Sequence, residues 1–196
     1  MPHISYSEIK DWAFCAFYHK LTRIDKIDGF KGNAFTAFGT ALHSVCEKKL
    51  LKEEVDEEFF IREFEQCIEK LPDDVDVDER LVGDMKEQGK LIDAIVATPD
   101  GKVHIFDWKT CGWGWDARKR SDKLVNYQLT LYKHFFAQKM NINVKDIETH
   151  FALLKRTAKK NRVEFFRVTS GPKKTQNALK LMNTALYNIQ NKRYIK

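Results

Sequence analysis

Two carboxylates interrupt runs that otherwise read as buried strands. Asp93 breaks Leu91-Ile92-Asp93-Ala94-Ile95-Val96, and Asp107 lies near the end of Lys102-Val103-His104-Ile105-Phe106-Asp107-Trp108, with Lys109 two positions on. Residues i and i+2 of a strand point the same way, so Asp107 and Lys109 share a face. Between the runs, Thr98-Pro99-Asp100-Gly101 carries a tight-turn signature, and the resulting hairpin would bring Asp93 alongside Asp107. Adjacent buried carboxylates repel each other unless a cation joins them. Hard oxygen ligands favour Mg2+ or Mn2+. Such an ion lowers the pKa of a bound water and stabilises charge on phosphoryl oxygens, a chemistry suited to phosphodiester hydrolysis. Lys109 can orient the attacking water, keep it as hydroxide, or stabilise the transition state. Taken alone, Asp107-x-Lys109 is short and common, and it also fits a structural ion pair at a strand end.

The elements that must carry these residues follow from periodicity. Ser5-x-x-Glu8 is a capping box, opening a helix expected through about Lys20, with Ile9, Trp12, Ala13 and Phe17 on one side. A second helix is expected from about Thr36 to Glu53 and a third from about Asp56 to Leu71, ended by Pro72. The hairpin follows, then a Gly- and Trp-rich basic loop over 111–123 and an amphipathic helix from Lys123 to Met140. Strands at Ile147–Leu154 and Val163–Val168, joined by a basic turn, precede a last helix from Lys173 to Gln190. This order predicts an α/β fold, a mixed central sheet flanked by helices. Residues 1–196 contain no repeat or linker composition and read as a single domain.

Composition narrows the class. An apolar share of 43% is that of a globular chain. No apolar run approaches the roughly 20 residues of a spanning helix, so no membrane partner is expected. The opening MPHISYSEIKDW lacks the basic-then-apolar pattern of a secretory signal, and the expectation is a cytoplasmic protein. Cys15, Cys46, Cys67 and Cys111 are scattered without a CxxC pair and are expected to be buried thiols. Net charge is +6, but residues 1–100 carry 13 Lys and Arg against 22 Asp and Glu, whereas residues 101–196 carry 21 against 6. That asymmetry points to a polyanion partner, although basic residues on a last helix also serve solubility.

The run Asp93…Ile105-Phe106-Asp107-Trp108-Lys109-Thr110 resembles the D…(D/E)xK core of the PD-(D/E)xK nuclease superfamily, most closely its RecB-like and Cas4-like exonuclease branch. Three further segments agree in order. Ser5 to Cys15 is similar to the branch's N-terminal helix, Phe38-Gly39-Thr40-Ala41-Leu42-His43 to its FGxxxH helix, and Gln128-Leu129-Thr130-Leu131-Tyr132 to its QxxxY helix. The likeness covers roughly residues 5–135. It implies a restriction-endonuclease-like fold, and a metal held by His43, Asp93, Asp107 and the Trp108 carbonyl. Glu47, one turn beyond His43, could join that set or be a solvated helix residue. Gln128 and Tyr132, also one turn apart, are implied to position substrate or the catalytic lysine. Branch members with an iron–sulfur cluster have three cysteines near the C-terminus; none follows Cys111 here, so no cluster is expected. No P-loop is present, so no helicase motor is expected in this chain.

DNA is the implied substrate. In the loop after the catalytic strand, Arg118, Lys119 and Arg120 are expected to meet phosphates, and Trp113 or Trp115 either stacks on an unpaired base or anchors the loop. The turn Lys155-Arg156-Thr157-Ala158-Lys159-Lys160-Asn161-Arg162 supplies a second cluster, Lys155, Arg156, Lys159, Lys160 and Arg162. Such contacts are sequence-independent and salt-sensitive, and no groove-reading motif accompanies them. The leading expectation is an exonuclease of recombination, repair or replication, with a recombination or replication protein as a partner. Size and resemblance also fit a phage enzyme acting in the host cytoplasm. The alternatives are a flap- or junction-specific endonuclease and a non-catalytic DNA-binding module of the same fold. No oligomeric state is specified by the sequence.

Overall fold

The computed structural model describes residues 4–27, 31–51, 53–56, 58–73, 75, 77, 82 and 102–194. In chain order these form α1 (Tyr6–Phe14), α2 (Ala16–His19), a π-helical turn (Lys20–Ile24), α3 (Ala34–Leu50) and α4 (Phe59–Glu69). Then come β1 (Val103–Cys111), α5 (Ala117–Ser121), α6 (Lys123–Met140), a 3-10 turn (Val144–Asp146), β2 (Ile147–Lys155), β3 (Val163–Arg167) and α7 (Pro172–Gln190). The architecture is mixed α/β, with a three-stranded mixed sheet in the order β1-β2-β3 and flanking helices. The strand expected at 90–97, with Asp93 on it, lies outside the described residues. No helix among the described residues is long and apolar enough to cross a membrane.

Two compact units divide the chain: Met1–Gly29, Ala117–Thr149 and Val168–Lys196 in the first, Phe30–Asp116 and His150–Arg167 in the second. No linker composition marks the joins, so the sequence alone does not reveal them.

In the first unit, the capping box forms as expected. The Ser5 amide donates to Glu8 Oε2 at 2.9 Å and the Glu8 amide to Ser5 Oγ at 3.3 Å. The single helix expected through Lys20 is broken at Cys15, whose backbone is extended at φ −162° and whose thiol accepts from the Tyr18 amide to start α2. Asp122 caps α6 by accepting from the Leu124 and Val125 amides, and Asn141 ends it in the left-handed region at φ 53°. Ile9, Leu131, Ala178 and Ala185 are buried together, joined by Trp12, Leu181 and Met182. The small Ala178 and Ala185 allow close helix approach on the buried face of α7. The basic loop expected over 111–123 contains α5, a short helix that its Arg and Lys content accommodates.

The second unit is built on α3, α4 and the sheet. Asn33 caps α3, accepting from the Thr36 amide at 3.1 Å. Phe38, Phe60 and Phe64 meet at ring centroid distances of 5.4 to 5.9 Å. Trp108, Ala152 and Leu154 join this cluster from the strands. β2 is the central strand, and Phe151 to Leu154 are fully buried, as a strand covered on both faces requires. It pairs antiparallel with β3, Phe151 opposite Phe166 and Leu153 opposite Glu164. Of the four cysteines, only Cys46 is buried; Cys15, Cys67 and Cys111 are partly exposed, and all four are free thiols. The expectation of four buried thiols is corrected accordingly: Cys15 stands at a helix break, Cys67 borders the core without entering it, and the Cys111 thiol lies 3.8 Å from the Leu154 carbonyl oxygen.

Candidate functional site

Gly39 sets the distance between α3 and β1. A Cβ at this position would lie 3.1 Å from Thr110 Oγ1, closer than ordinary van der Waals contact. The missing side chain lets the helix lie near the strand, and one turn later His43 meets the backbone of β1. His43 Nε2 is 2.9 Å from the Trp108 carbonyl oxygen. A carbonyl only accepts, so this bond is an Nε2–H donation. The Trp108 side chain is packed into the core, which holds its carbonyl in place. Burial lowers the His43 pKa and the Lys109 charge lowers it further, while the Trp108 bond and Asp107 act the other way; the net shift is downward. The neutral ring is therefore favoured, the form in which imidazole binds a metal.

Asp107 and Lys109 share a strand face, as alternation requires. Lys109 Nζ lies 3.2 Å from Asp107 Oδ1 and 3.0 Å from Oδ2. The Asp107 side chain is 14% exposed, and its Oδ2 is buried with no hydrogen-bond partner among the described residues. The ammonium is near this oxygen without donating to it in line. A buried carboxylate oxygen in that state retains capacity for a cation. Glu47 lines a cavity of about 350 Å3 together with His43, Leu51 and Trp108. His43, the Trp108 carbonyl, Asp107, Lys109 and Glu47 thus lie in one unit, on α3 and β1. Asp93 falls outside the described residues.

Gln128 and Tyr132 belong to the first unit, on α6. Gln128 Nε2 donates to the Tyr132 hydroxyl at 3.3 Å, and Tyr132 is 43% exposed. The two tryptophans of the loop differ. Trp113 is 75% exposed, whereas Trp115 packs on Phe151 and Phe166, with centroids 4.9 and 6.5 Å away. Arg118 and Lys119 are exposed on α5, and Arg120 is partly buried. In the turn after β2, Lys155 pairs with Glu164 at 3.5 Å, Arg156 lies 4.7 Å over the Phe35 ring, and Arg162 donates to the Arg156 carbonyl. Lys159 and Lys160 are exposed.

Two features escape sequence reasoning. His104 Nδ1 and His150 Nε2 are 3.1 Å apart, across β1 and β2. Strand alternation assigns each a face, but only the β1–β2 adjacency brings them together. A cavity of about 1210 Å3 lies in the first unit and is lined by none of the expected site residues. Lys133, Lys145 and Lys180 line it without any carboxylate, so it has the charge of an anion site. The sequence matches no protein-family model, and no curated protein or solved structure matches it.

Proposed function

We propose that the chain is a metal-dependent nuclease that hydrolyses DNA phosphodiester bonds, with a restriction-endonuclease-like fold of the PD-(D/E)xK kind. The observation that carries this reading is the 2.9 Å approach of His43 Nε2 to the Trp108 carbonyl, directly after Asp107. Adjacent ligands of an octahedral ion at 2.0–2.1 Å stand about 3 Å apart, so, with the His43 ring proton moved from Nε2 to Nδ1, these two atoms suit a common ion. The buried, unbonded Asp107 Oδ2 and the neutral tendency of His43 support the same fit.

In this reading, His43, Asp107 and the Trp108 carbonyl would hold Mg2+ or Mn2+, with Asp93 as a further carboxylate and Glu47 near the set. The ion, when bound, supplies Lewis acidity and lowers the pKa of a coordinated water. Lys109 is kept beside Asp107 by its ion pair, where its ammonium orients the attacking water and stabilises charge on a phosphoryl oxygen. Gln128 and Tyr132 are assigned to substrate positioning by the resemblance. Arg118, Lys119, Lys159 and Lys160 are the exposed members of the two basic clusters assigned to phosphates. Exonuclease action in recombination, repair or replication is the form the resemblance favours.

Digestion of end-labelled linear DNA and closed circular DNA, single- and double-stranded, with Mg2+, Mn2+ or EDTA tests the proposal. Metal-dependent loss of linear DNA with circles spared is the expected result. Cut circles would replace the exonuclease with an endonuclease. DNA bound but uncut under both metals, on flapped and branched substrates too, would replace the enzyme with a binding module.

A further inference from the structure

We propose that His104 and His150, with Glu148, form a second metal site that takes a transition-metal ion of the Zn2+ type. His104 precedes Asp107 by three positions on β1 and so lies on the opposite strand face. This site is therefore separate from the oxygen-rich one and does not depend on it.

The two imidazoles are held ready for a shared cation. His104 Nδ1 and His150 Nε2 are 3.1 Å apart, with ring planes inclined at 20°. Phe106 lies beside both rings, at centroid distances of 6.1 Å from His104 and 5.0 Å from His150, and Phe165 meets Phe106 edge-on at 5.6 Å. This aromatic wall restricts the rotamers of both histidines. Two nitrogens on a tetrahedral zinc ion at 2.0–2.1 Å stand about 3.3 Å apart, so the pair needs little adjustment. At 3.1 Å the two facing nitrogens leave room for one hydrogen between them, and a cation held by both can take its place.

Glu148 stands two residues before His150, on the same face of β2, and offers a carboxylate to complete a set of two histidines and one acid. All three are partly buried, which leaves solvent access for the ion and a place for water. Imidazole selects a borderline ion over Mg2+. An ion here would tie β1 to β2 and stabilise the folded chain through binding linkage.

The test is a titration of the untagged full chain with Zn2+ against a chromophoric chelator, repeated with Co2+ read by visible absorption. It is run on the wild type and on a His43→Ala, Asp107→Ala double variant, so that ions taken by the other site are not counted. The double variant is expected to bind one Zn2+, give the intense visible bands of tetrahedral Co2+, and melt at a higher temperature with Zn2+. Adding His104→Ala or His150→Ala should weaken binding by about tenfold or more and remove the thermal shift, with a smaller loss for Glu148→Gln. No Zn2+ binding by the double variant, or unchanged affinity after loss of either histidine, would overturn the proposal. Ring nitrogen NMR of the double variant needs no substitution at the site itself. Two of the five remaining histidines should shift with one equivalent of Zn2+, and no shift would equally overturn it.

Discussion

Lys109 belongs to β1 while His43 reaches that strand from α3, and their substitutions should fail differently. Lys109→Ala should slow cleavage by about a hundredfold or more while Mn2+ affinity is retained, because the ammonium acts on the reacting groups and not on the ion. A matching loss of Mn2+ affinity would make Lys109 a support for the ligands instead. His43→Ala should raise the Mn2+ concentration needed for cleavage, with partial rescue at high Mn2+; an unchanged metal requirement would remove His43 from the ligand set. The role expected of His43 came from the resemblance, but the shared face of Asp107 and Lys109 and the one-turn spacing of Gly39 and His43 were legible, because spacing along one element fixes them. His104 and His150 were not, since their meeting depends on which strands are neighbours. The tryptophans show the same limit. Trp113 and Trp115 have the same local composition, and only the position of Phe151 and Phe166 distinguishes the packed ring from the exposed one.

At the scale of elements, the first helix start was legible and other boundaries were less so. Ser5 forms the cap its side chain allows, whereas Asn33 starts α3 at Ala34, ahead of the expected Thr36, and the break at Cys15 involves no Pro or Gly and leaves the apolar periodicity intact. Glu8 makes the first cap sensitive to acid. Burial acts to raise its pKa, but the bonds from the Ser5 backbone and hydroxyl and the charges of His19 and Arg23 outweigh this, and the value falls below 4.5. A depressed folded-state pKa gives stabilisation that is complete above the unfolded value and lost as pH falls through the folded one. The wild type should lose more stability across that window than Glu8→Gln, as read from urea midpoints on either side of it. Parallel acid profiles would assign the loss to other groups. The contact of α3 with β1 is tested by Gly39→Val. Its side chain meets Thr110, and a cost of about 1–3 kcal/mol is expected from overpacking. Cleavage should fall along with stability, because His43 is carried on the displaced helix. Unchanged stability would show that the approach of α3 to β1 is not tight.

For the molecule as a whole, the charge contrast persists between the two units but is smaller than between the halves of the sequence. The first unit carries 17 Lys and Arg against 7 Asp and Glu, the second 17 against 21. The first unit is assembled from three separated stretches, one of them from the acidic half of the sequence. The second unit's exposed Lys159 and Lys160 are its candidates for phosphate contact, and Lys159→Ala with Lys160→Ala should weaken DNA binding. The slope of log affinity against log salt should flatten by up to about 2 if each neutralises a phosphate. An unchanged slope would remove this turn from the footprint. The central claim, that Asp107 serves metal-dependent hydrolysis, is tested most directly by comparing Asp107→Ala with the wild type on labelled linear DNA. Cleavage with Mn2+ and binding in EDTA should be read on the same preparations. Cleavage should be abolished while metal-free binding is retained or strengthened, because the substitution removes a negative charge. Wild-type cleavage by the variant, or equal loss of cleavage and binding, would contradict that claim.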